Sequence, residues 1–342
     1  MTLSFVLVAL LLPIVAAVRH APPPWAAKVP AGVCYHRVAA DGREMMLFLA
    51  AEDASEGAAP CRFGGRRRGG GGAPLVVALH GFGGGYPDMF VPLSGAVAAR
   101  GLALAVPRGL NGSWNGRYCC GVALRERVDD VGALRALLAA ARRLTRRVDA
   151  ALAFGVGFSN GGFLASDAAA LPGRAPPLFK AVVSVAGHAL RVGLDARPTP
   201  VFMVHGDGDA VVPLDGCCGG NEALPICAAA LEAASPFGVV GCRGARDVFR
   251  QWLRANGCAG EVATRAGGRA CVSGTGCAAN TTLCVAAGLG HFPEFVLPGA
   301  AAQADALTFV AREACRARGG AFGDAGCACA SGTGPFCWTP PD

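Results

Sequence analysis

Apolar positions along this chain fall into two recurrent patterns. Short continuous apolar runs, Pro74 to Leu79, Leu102 to Val106, Ala150 to Val156, Ala181 to Ala186 and Pro200 to Val204, have strand length and no polar face, as central strands of a parallel sheet covered on both sides require. Stretches with helical spacing lie among and after them. Asp130 to Leu144 places Val131, Leu134, Leu137, Leu138 and Ala141 on one face, and Gly162 to Leu171 is compatible with a helix. Arg246 to Ala255 carries Val248, Phe249, Trp252 and Leu253, and a last helix is expected over Ala300 to Arg312. Glu44 to Ala50 is the first strand candidate, and Cys258, Cys271, Cys277 and Cys284 bracket another strand-rich piece. Strands that alternate with helices in this way predict an α/β fold, with a mostly parallel central sheet and helices on both faces.

The two ends depart from this alternation. Phe5 to Val18 is apolar but too short to span a bilayer, and Val15-Ala16-Ala17 supplies small residues suited to signal cleavage. Residues 1–18 are therefore expected to be a secretory signal, although Met1 to Ser4 lacks the usual Lys or Arg. Residues 19–31, rich in Pro and Ala, read as a linker. The main domain is then placed at 32–313 and a cysteine-rich tail at 314–342, in which Cys327, Cys329 and Cys337 with Gly332 and Gly334 look like the closing half of an EGF-like module. Too few cysteines precede them to complete one, so a disulfide-stapled tail is expected.

Composition changes this picture in one respect. The chain has 342 residues, 53% apolar and 16% charged, with 50 glycines; a single apolar segment of fourteen residues does not make it a membrane protein. Sixteen cysteines, spread without aligned Cys-x-x-Cys and histidine spacing, point to disulfides in an oxidising compartment and not to zinc. Two sequons, Asn111-Gly112-Ser113 and Asn280-Thr281-Thr282, suit an exported chain. The net charge of +7 sits largely in Arg66 to Arg68 and Arg142 to Arg147, without the interleaved aromatics of a nucleic-acid groove. No nucleic-acid partner is expected; a weak attraction to acidic polysaccharide is the alternative to a plain solvated surface.

The chemistry concentrates after the strands. Gly157-Phe158-Ser159-Asn160-Gly161 is Gly-x-Ser-x-Gly between a strand and a helix, the context of a nucleophile elbow, in which Ser159 projects from a tight corner. The strand at Pro74 to Leu79 runs into His80-Gly81-Phe82-Gly83-Gly84-Gly85, a loop able to turn backbone N–H groups toward a developing oxyanion. The N–H of Phe82 paired with that of Asn160 is the candidate oxyanion hole. A phosphate loop is disfavoured because no Gly-Lys-Ser/Thr follows. Asp209 in His205-Gly206-Asp207-Gly208-Asp209 is placed to orient a histidine, with Asp207 as its rival, and His291 in Gly290-His291-Phe292-Pro293 is the candidate base. His80, His188 and His205 read as structural, and Asp129 and Asp130 as the cap and first-turn charge of their helix. The loop with Trp114, Tyr118, Cys119 and Cys120 is either a disulfide-pinned wall of a substrate pocket, with Trp114 touching substrate, or a buried structural loop. Residues 214–244, with four cysteines, look like a tied insertion or lid.

Seven segments stand in one order: Leu79-His80-Gly81, Ser113-Trp114-Asn115, Cys119-Cys120-Gly121, Val128-Asp129-Asp130-Val131, Gly157 to Gly162, His205-Gly206-x-x-Asp209 and Gly290-His291-x-Pro293. Together they resemble the secreted feruloyl esterase and polyhydroxybutyrate depolymerase family over roughly residues 32–313. The resemblance implies an α/β-hydrolase fold with Ser159 as nucleophile, His291 as base and Asp209 as acid. It implies no metal and no cofactor, and an ester-bearing polysaccharide or polyester as substrate. Where the family usually has His-x-Trp-Pro, this chain has His291-Phe292-Pro293, and its 214–244 segment is richer in cysteine. A feruloyl esterase is the leading expectation, with a polyhydroxybutyrate depolymerase or acetyl xylan esterase next; a secreted binding protein on an inactive hydrolase scaffold is the rival of another class.

Overall fold

The structure, a computed structural model, describes residues 27–51, 61, 72–117, 119–172, 176–189, 191–216, 243–266, 268–291, 301–323 and 326–328. The signal segment, the loop at 62–71, most of the 214–244 insertion, Phe292 and Pro293, and the end of the tail lie outside the described residues.

A ten-stranded sheet organises the chain in the order β1-β2-β4-β3-β5-β6-β7-β10-β9-β8. Its six middle strands, β4 (Ala103–Pro107), β3 (Ala73–Leu79), β5 (Val148–Phe158), β6 (Val182–Val185), β7 (Val201–Gly206) and β10 (Thr281–Ala286), are all parallel. An antiparallel pair, β1 (Val33–Ala40) and β2 (Arg43–Ala50), closes one side, and the meander of β8 (Gly260–Ala266) and β9 (Arg269–Thr275) against β10 closes the other.

Both faces of the parallel strands are buried, which is why they read as unbroken apolar runs. In β3, Leu75, Val77 and Leu79 face one hydrophobic cluster, and Val76 and Ala78 face the other. The first cluster takes in Leu134, Leu137 and Leu138 of α3 (Asp130–Leu144), Leu164 and Ala168 of α4 (Asn160–Ala170), and Phe249 and Trp252 of α5 (Ala245–Ala255). The second is covered by Met89, Phe90, Leu93 and Val97 of α1 (Tyr86–Ala99) and by Ala306, Leu307 and Val310 of α6 (Ala301–Arg316). A short helix, α2 (Gly121–Arg125), lies between β4 and α3.

Three boundaries differ from the sequence expectation. β1 was not anticipated: His36 and Arg37 interrupt its apolar run, and only Val33, Cys34, Tyr35 and Val38 of its eight residues are buried. Val29, inside the expected linker, is 7% exposed and belongs to the core, so the domain starts earlier. The last helix runs to Arg316, with Ala314 and Cys315 buried, so a boundary after residue 313 would cut through a packed element. Beyond it a hairpin of β11 (Ala321–Gly323) and β12 (Gly326–Ala328) begins the tail. Disulfides join Cys34 to Cys61, Cys119 to Cys120, Cys258 to Cys277 and Cys271 to Cys284.

Asp167 on α4 is 5% exposed, and its ion pair with Arg117 at 3.0 Å only partly compensates for that burial. Burial pushes its carboxyl up to about 6, against the opposing pull of Arg117. A carboxyl raised on folding binds its proton more tightly in the native state, so stability falls as pH rises from about 4 to about 6 and is level above that. The Asp167→Asn variant lacks this slope. Its stability relative to the native chain is expected to rise by about 2 kcal/mol between pH 4 and pH 6.5, measured by urea denaturation. A constant difference across that range would refute this.

Candidate active site

β3 and β5 are neighbours, yet the chain leaves β3 toward β4 and returns on the other side to form β5. Loops leaving the carboxyl ends of two such strands diverge and open a crevice, where open α/β sheets bind ligands. Ser159 sits at that edge. It links β5 directly to α4 with φ 51° and ψ −118°, a strained conformation for a non-glycine residue. The flanking glycines are required by close approach: a Cβ on Gly157 would lie 2.1 Å from the Gly161 carbonyl oxygen, and one on Gly161 would lie 2.2 Å from that of Leu79. Both exceed what a real side chain tolerates, so the Gly-x-Ser-x-Gly spacing follows from backbone crowding.

The Ser159 Oγ lies 2.9 Å from the His291 Nε2, and the His291 Nδ1 lies 2.9 and 3.1 Å from the two carboxylate oxygens of Asp209. A carboxylate on Nδ1 holds the proton there, which leaves Nε2 to accept from the serine hydroxyl. Asp209 is 4% exposed and lies just past β7. Burial pushes its carboxyl up, but hydrogen bonds from His205 and His291 and from the Val212 N–H outweigh it and hold the group well below the usual carboxylate range. The Val211 and Val212 N–H groups both donate to its Oδ1, at 2.9 and 2.8 Å. Asp209 therefore stays charged where imidazolium develops.

The rival, Asp207, does not reach His291. Its Oδ1 accepts from the Gly288 N–H at 2.7 Å, and the Gly208 N–H donates to the Leu289 carbonyl at 3.0 Å. These bonds stitch the aspartate loop to the histidine loop. His205 is buried beside Asp209: its Nε2–H donates to the Val212 carbonyl at 2.6 Å and stands 3.4 Å from Asp209 Oδ2. His188 packs between Phe163 and His205 and donates from Nε2 to the Arg243 carbonyl; burial and the neighbouring His205 push its pKa down to about 4.

The glycine loop after β3 runs beside the serine, since a Cβ on Gly81 would stand 3.5 Å from Ser159 Cβ. His80, fully buried, donates from Nδ1 to the Gly81 carbonyl and accepts at Nε2 from the Gly109 N–H. The Gly83 N–H bonds the Gly112 carbonyl at 2.8 Å. The loop that carries Phe82 is thus fastened to the loop after β4. Asn160 is the first residue of α4, so its N–H belongs to the helical turn that has no intrahelical acceptor. Both candidate oxyanion donors accordingly flank Ser159.

Of the two readings open for the Trp114 loop, pocket wall or buried structural loop, the side chain's burial fits the second. Its side chain is fully buried and cannot line a surface that substrate touches. The indole Nε1–H donates to the His80 carbonyl at 3.0 Å, and the Arg43 guanidinium lies 5.8 Å from the ring centroid. The indole therefore braces the start of the loop that carries Phe82. The Asn160 side chain completes this support: Oδ1 accepts from the Trp114 N–H at 2.7 Å, and Nδ2 donates to the Trp114 and Cys119 carbonyls at 2.9 and 2.8 Å. Asp130, buried at the start of α3, accepts from Arg43 and from the Asn115 N–H, while Asp129 caps the helix through the Gly132 N–H. The sequence reading assigned Asn160 only its backbone N–H, and this side-chain clamp was missed.

A cavity of about 490 Å³ is lined by Gly81, Phe82, Phe158, Asp88, Met89 and Lys28 among others; Ser159 and His291 are not among its lining residues. The Phe158 ring stands 5.6 Å from that of His291.

The sheet topology, the strained serine after β5 and the glycine loop after β3 are those of an α/β-hydrolase fold. No family model matches the sequence, and no curated protein matches it. Among solved structures, the chain is similar to an acetyl xylan esterase from Aspergillus awamori, at 12% identity over 75% of this chain and 93% of that one with a TM-score of 0.47. It is also similar to the esterase PE8, at 18% identity over 67% and 90% with a TM-score of 0.39. A third likeness is to an acylaminoacyl peptidase from Pyrococcus horikoshii, at 16% identity over 56% and 34% with a TM-score of 0.37.

Proposed function

We propose that this chain is a secreted serine carboxylic-ester hydrolase that releases a hydroxycinnamate from cell-wall polysaccharide. The observation that carries the reaction type is the unbroken relay from Ser159 through His291 to Asp209 beside the loop of Phe82. His291 takes the hydroxyl proton as Ser159 attacks the ester carbonyl, and the backbone N–H groups of Phe82 and Asn160 receive the oxyanion. His291 then protonates the departing alcohol. Water enters, gives its proton to His291 and frees the acid from the acyl-enzyme, restoring the serine. The choice of an aromatic acyl group is supported by the seven-segment resemblance. Export is supported by the apolar leader and by the disulfides.

An acetyl ester of xylan is the second reading, and a hydroxybutyrate polyester the third. Purified protein is expected to release ferulate from feruloylated arabinoxylan fragments faster than acetate from acetylated xylan or 3-hydroxybutyrate from the polymer. It is also expected to be labelled by a fluorophosphonate, with the Ser159→Ala variant unlabelled. Release of acetate alone would move the assignment to the second reading, and equal labelling of both proteins would remove Ser159 from the mechanism.

A further inference from the structure

β7 is apolar from Val201 to Val204, and His205, which follows in the same strand, is just as deeply buried. Side chains alternate along a strand, so His205 shares the face of Met203, which packs in the cluster beneath α4 and α5. An apolar side chain would fill that place without the cost of taking an imidazole out of water. The ring offsets that cost through Nε2, which stands 2.6 Å from the Val212 carbonyl oxygen and 3.4 Å from Asp209 Oδ2. Both neighbours are acceptors, so the ring proton sits on Nε2 and is aimed chiefly at the carbonyl.

What this bond holds is the turn that carries Asp209. Val212 is fixed through its carbonyl by His205, through its N–H on Asp209 Oδ1 at 2.8 Å, and through its side chain in a buried cluster with Cys119, Cys120 and Phe163. The Val211 N–H adds a second bond to Oδ1 at 2.9 Å. Backbone donors thus occupy Oδ1, and Oδ2 is the oxygen nearer to His291 Nδ1, at 2.9 Å. Oδ2 is also the oxygen that His205 faces. The His205 ring is backed in turn by His188, edge-on at 5.9 Å, whose Nε2–H is engaged by the Arg243 carbonyl.

We propose that His205 is a positioning residue for the reaction. Through the Val212 carbonyl and its approach to Oδ2, it fixes the rotation of the Asp209 carboxylate and with it the direction from which His291 meets Ser159. It touches no substrate and carries no proton of the reaction. The inference rests on the reading of Ser159, His291 and Asp209 as the catalytic relay given under Proposed function. Displacing a catalytic group by about 1 Å can cost about 100-fold in rate, so a donor that merely holds a turn can matter as much as one that touches substrate.

The test compares two replacements in the full-length protein. His205→Phe keeps an aromatic ring but has no donor, whereas His205→Gln places an amide NH₂ near the position of Nε2. With 4-nitrophenyl acetate, His205→Phe is expected to lower kcat about 10- to 100-fold with KM little changed, and His205→Gln to restore most of the loss. In an Asp209→Asn background, His205→Phe is expected to cost little more, because the group it positions is already altered. A native kcat in His205→Phe, equal losses in the Phe and Gln variants, or a full additive loss in the double variant would each overturn the proposal. If His205→Phe does not fold, His205→Asn, whose shorter amide does not reach Val212, takes its place with the same expectations.

A second measurement needs no turnover. In protein with isotope-labelled histidine, the proton on His291 Nδ1 is expected to give a downfield resonance, identified by its absence from His291→Ala. It should be lost or broadened in His205→Phe and kept in His205→Gln. An unchanged resonance in His205→Phe would refute the positioning role even in a protein that hydrolyses esters. The expected losses in a native chain that neither turns over an ester nor labels with a fluorophosphonate would leave the positioning intact and remove the esterase reading instead.

Discussion

Asp209→Asn is expected to lower kcat for ester hydrolysis by about 10³ to 10⁴-fold with the fold retained. The native carboxylate accepts the His291 Nδ1–H and so fixes which ring nitrogen faces Ser159. An amide at the same position has one oxygen and one NH₂, while the surroundings offer donors on every side: the Val211 and Val212 N–H groups, His205 and His291. The amide oxygen is drawn to the two backbone donors, which turns the NH₂ toward His291 and favours the tautomer with its proton on Nε2, where it cannot accept from serine. The native charge also contributes to stability. Because the folded carboxyl is held below its ordinary range, that contribution is present above about pH 4 and is lost as pH falls through the carboxylate range. Single-turnover kinetics with a chromogenic ester, alongside acid denaturation, would measure both effects. A variant within tenfold of the native kcat would remove Asp209 from the relay.

Asn160→Ala is expected to cost about 2–4 kcal/mol of stability and, separately, to depress kcat at least tenfold. The side chain is fully buried and meets three backbone groups, and its loss leaves the Trp114 N–H and the Trp114 and Cys119 carbonyls without those partners. The backbone N–H of residue 160 remains in the variant. A loss of kcat therefore reports the position of the loops, since Trp114 also holds the His80 carbonyl and with it the start of the Phe82 loop. Asn160→Asp is expected to be no better, because a carboxylate would face two carbonyl oxygens. Urea unfolding midpoints and kcat, compared with the native chain, test the point; an Asn160→Ala chain within about 0.5 kcal/mol of native stability would refute it.

How much of this was legible beforehand depends on how local the signal was. The parallel strands were, because burial on both faces leaves no polar position in Leu75 to Leu79 or Val201 to Val204. The meeting of Ser159, Asp209 and His291 was, because each follows a strand at the same sheet edge. β1 was not: it lies near one end of the sheet, and half of its residues face outward. The choice between the two readings of the Trp114 loop, and the role of the Asn160 side chain, were not legible for another reason. A large aromatic in a loop with glycines and cysteines has the composition of a pocket wall, and nothing within the loop shows that Asn160, 46 residues away, holds its backbone. Asp207 and Asp209 were separable only once the histidine loop lay against both, with Gly288 on one carboxylate and His291 on the other.

The corner at Ser159 has a consequence for thermal robustness. A non-glycine residue held at φ 51° and ψ −118° gives up about 1–3 kcal/mol of folding free energy, a sizeable part of the margin by which a domain exceeds its unfolded state. Glycine would occupy that corner at lower conformational cost, and the resulting chain would be inert. Selecting this protein for heat resistance alone would therefore favour loss of the hydroxyl, so any search for hardier variants has to score turnover together with melting temperature.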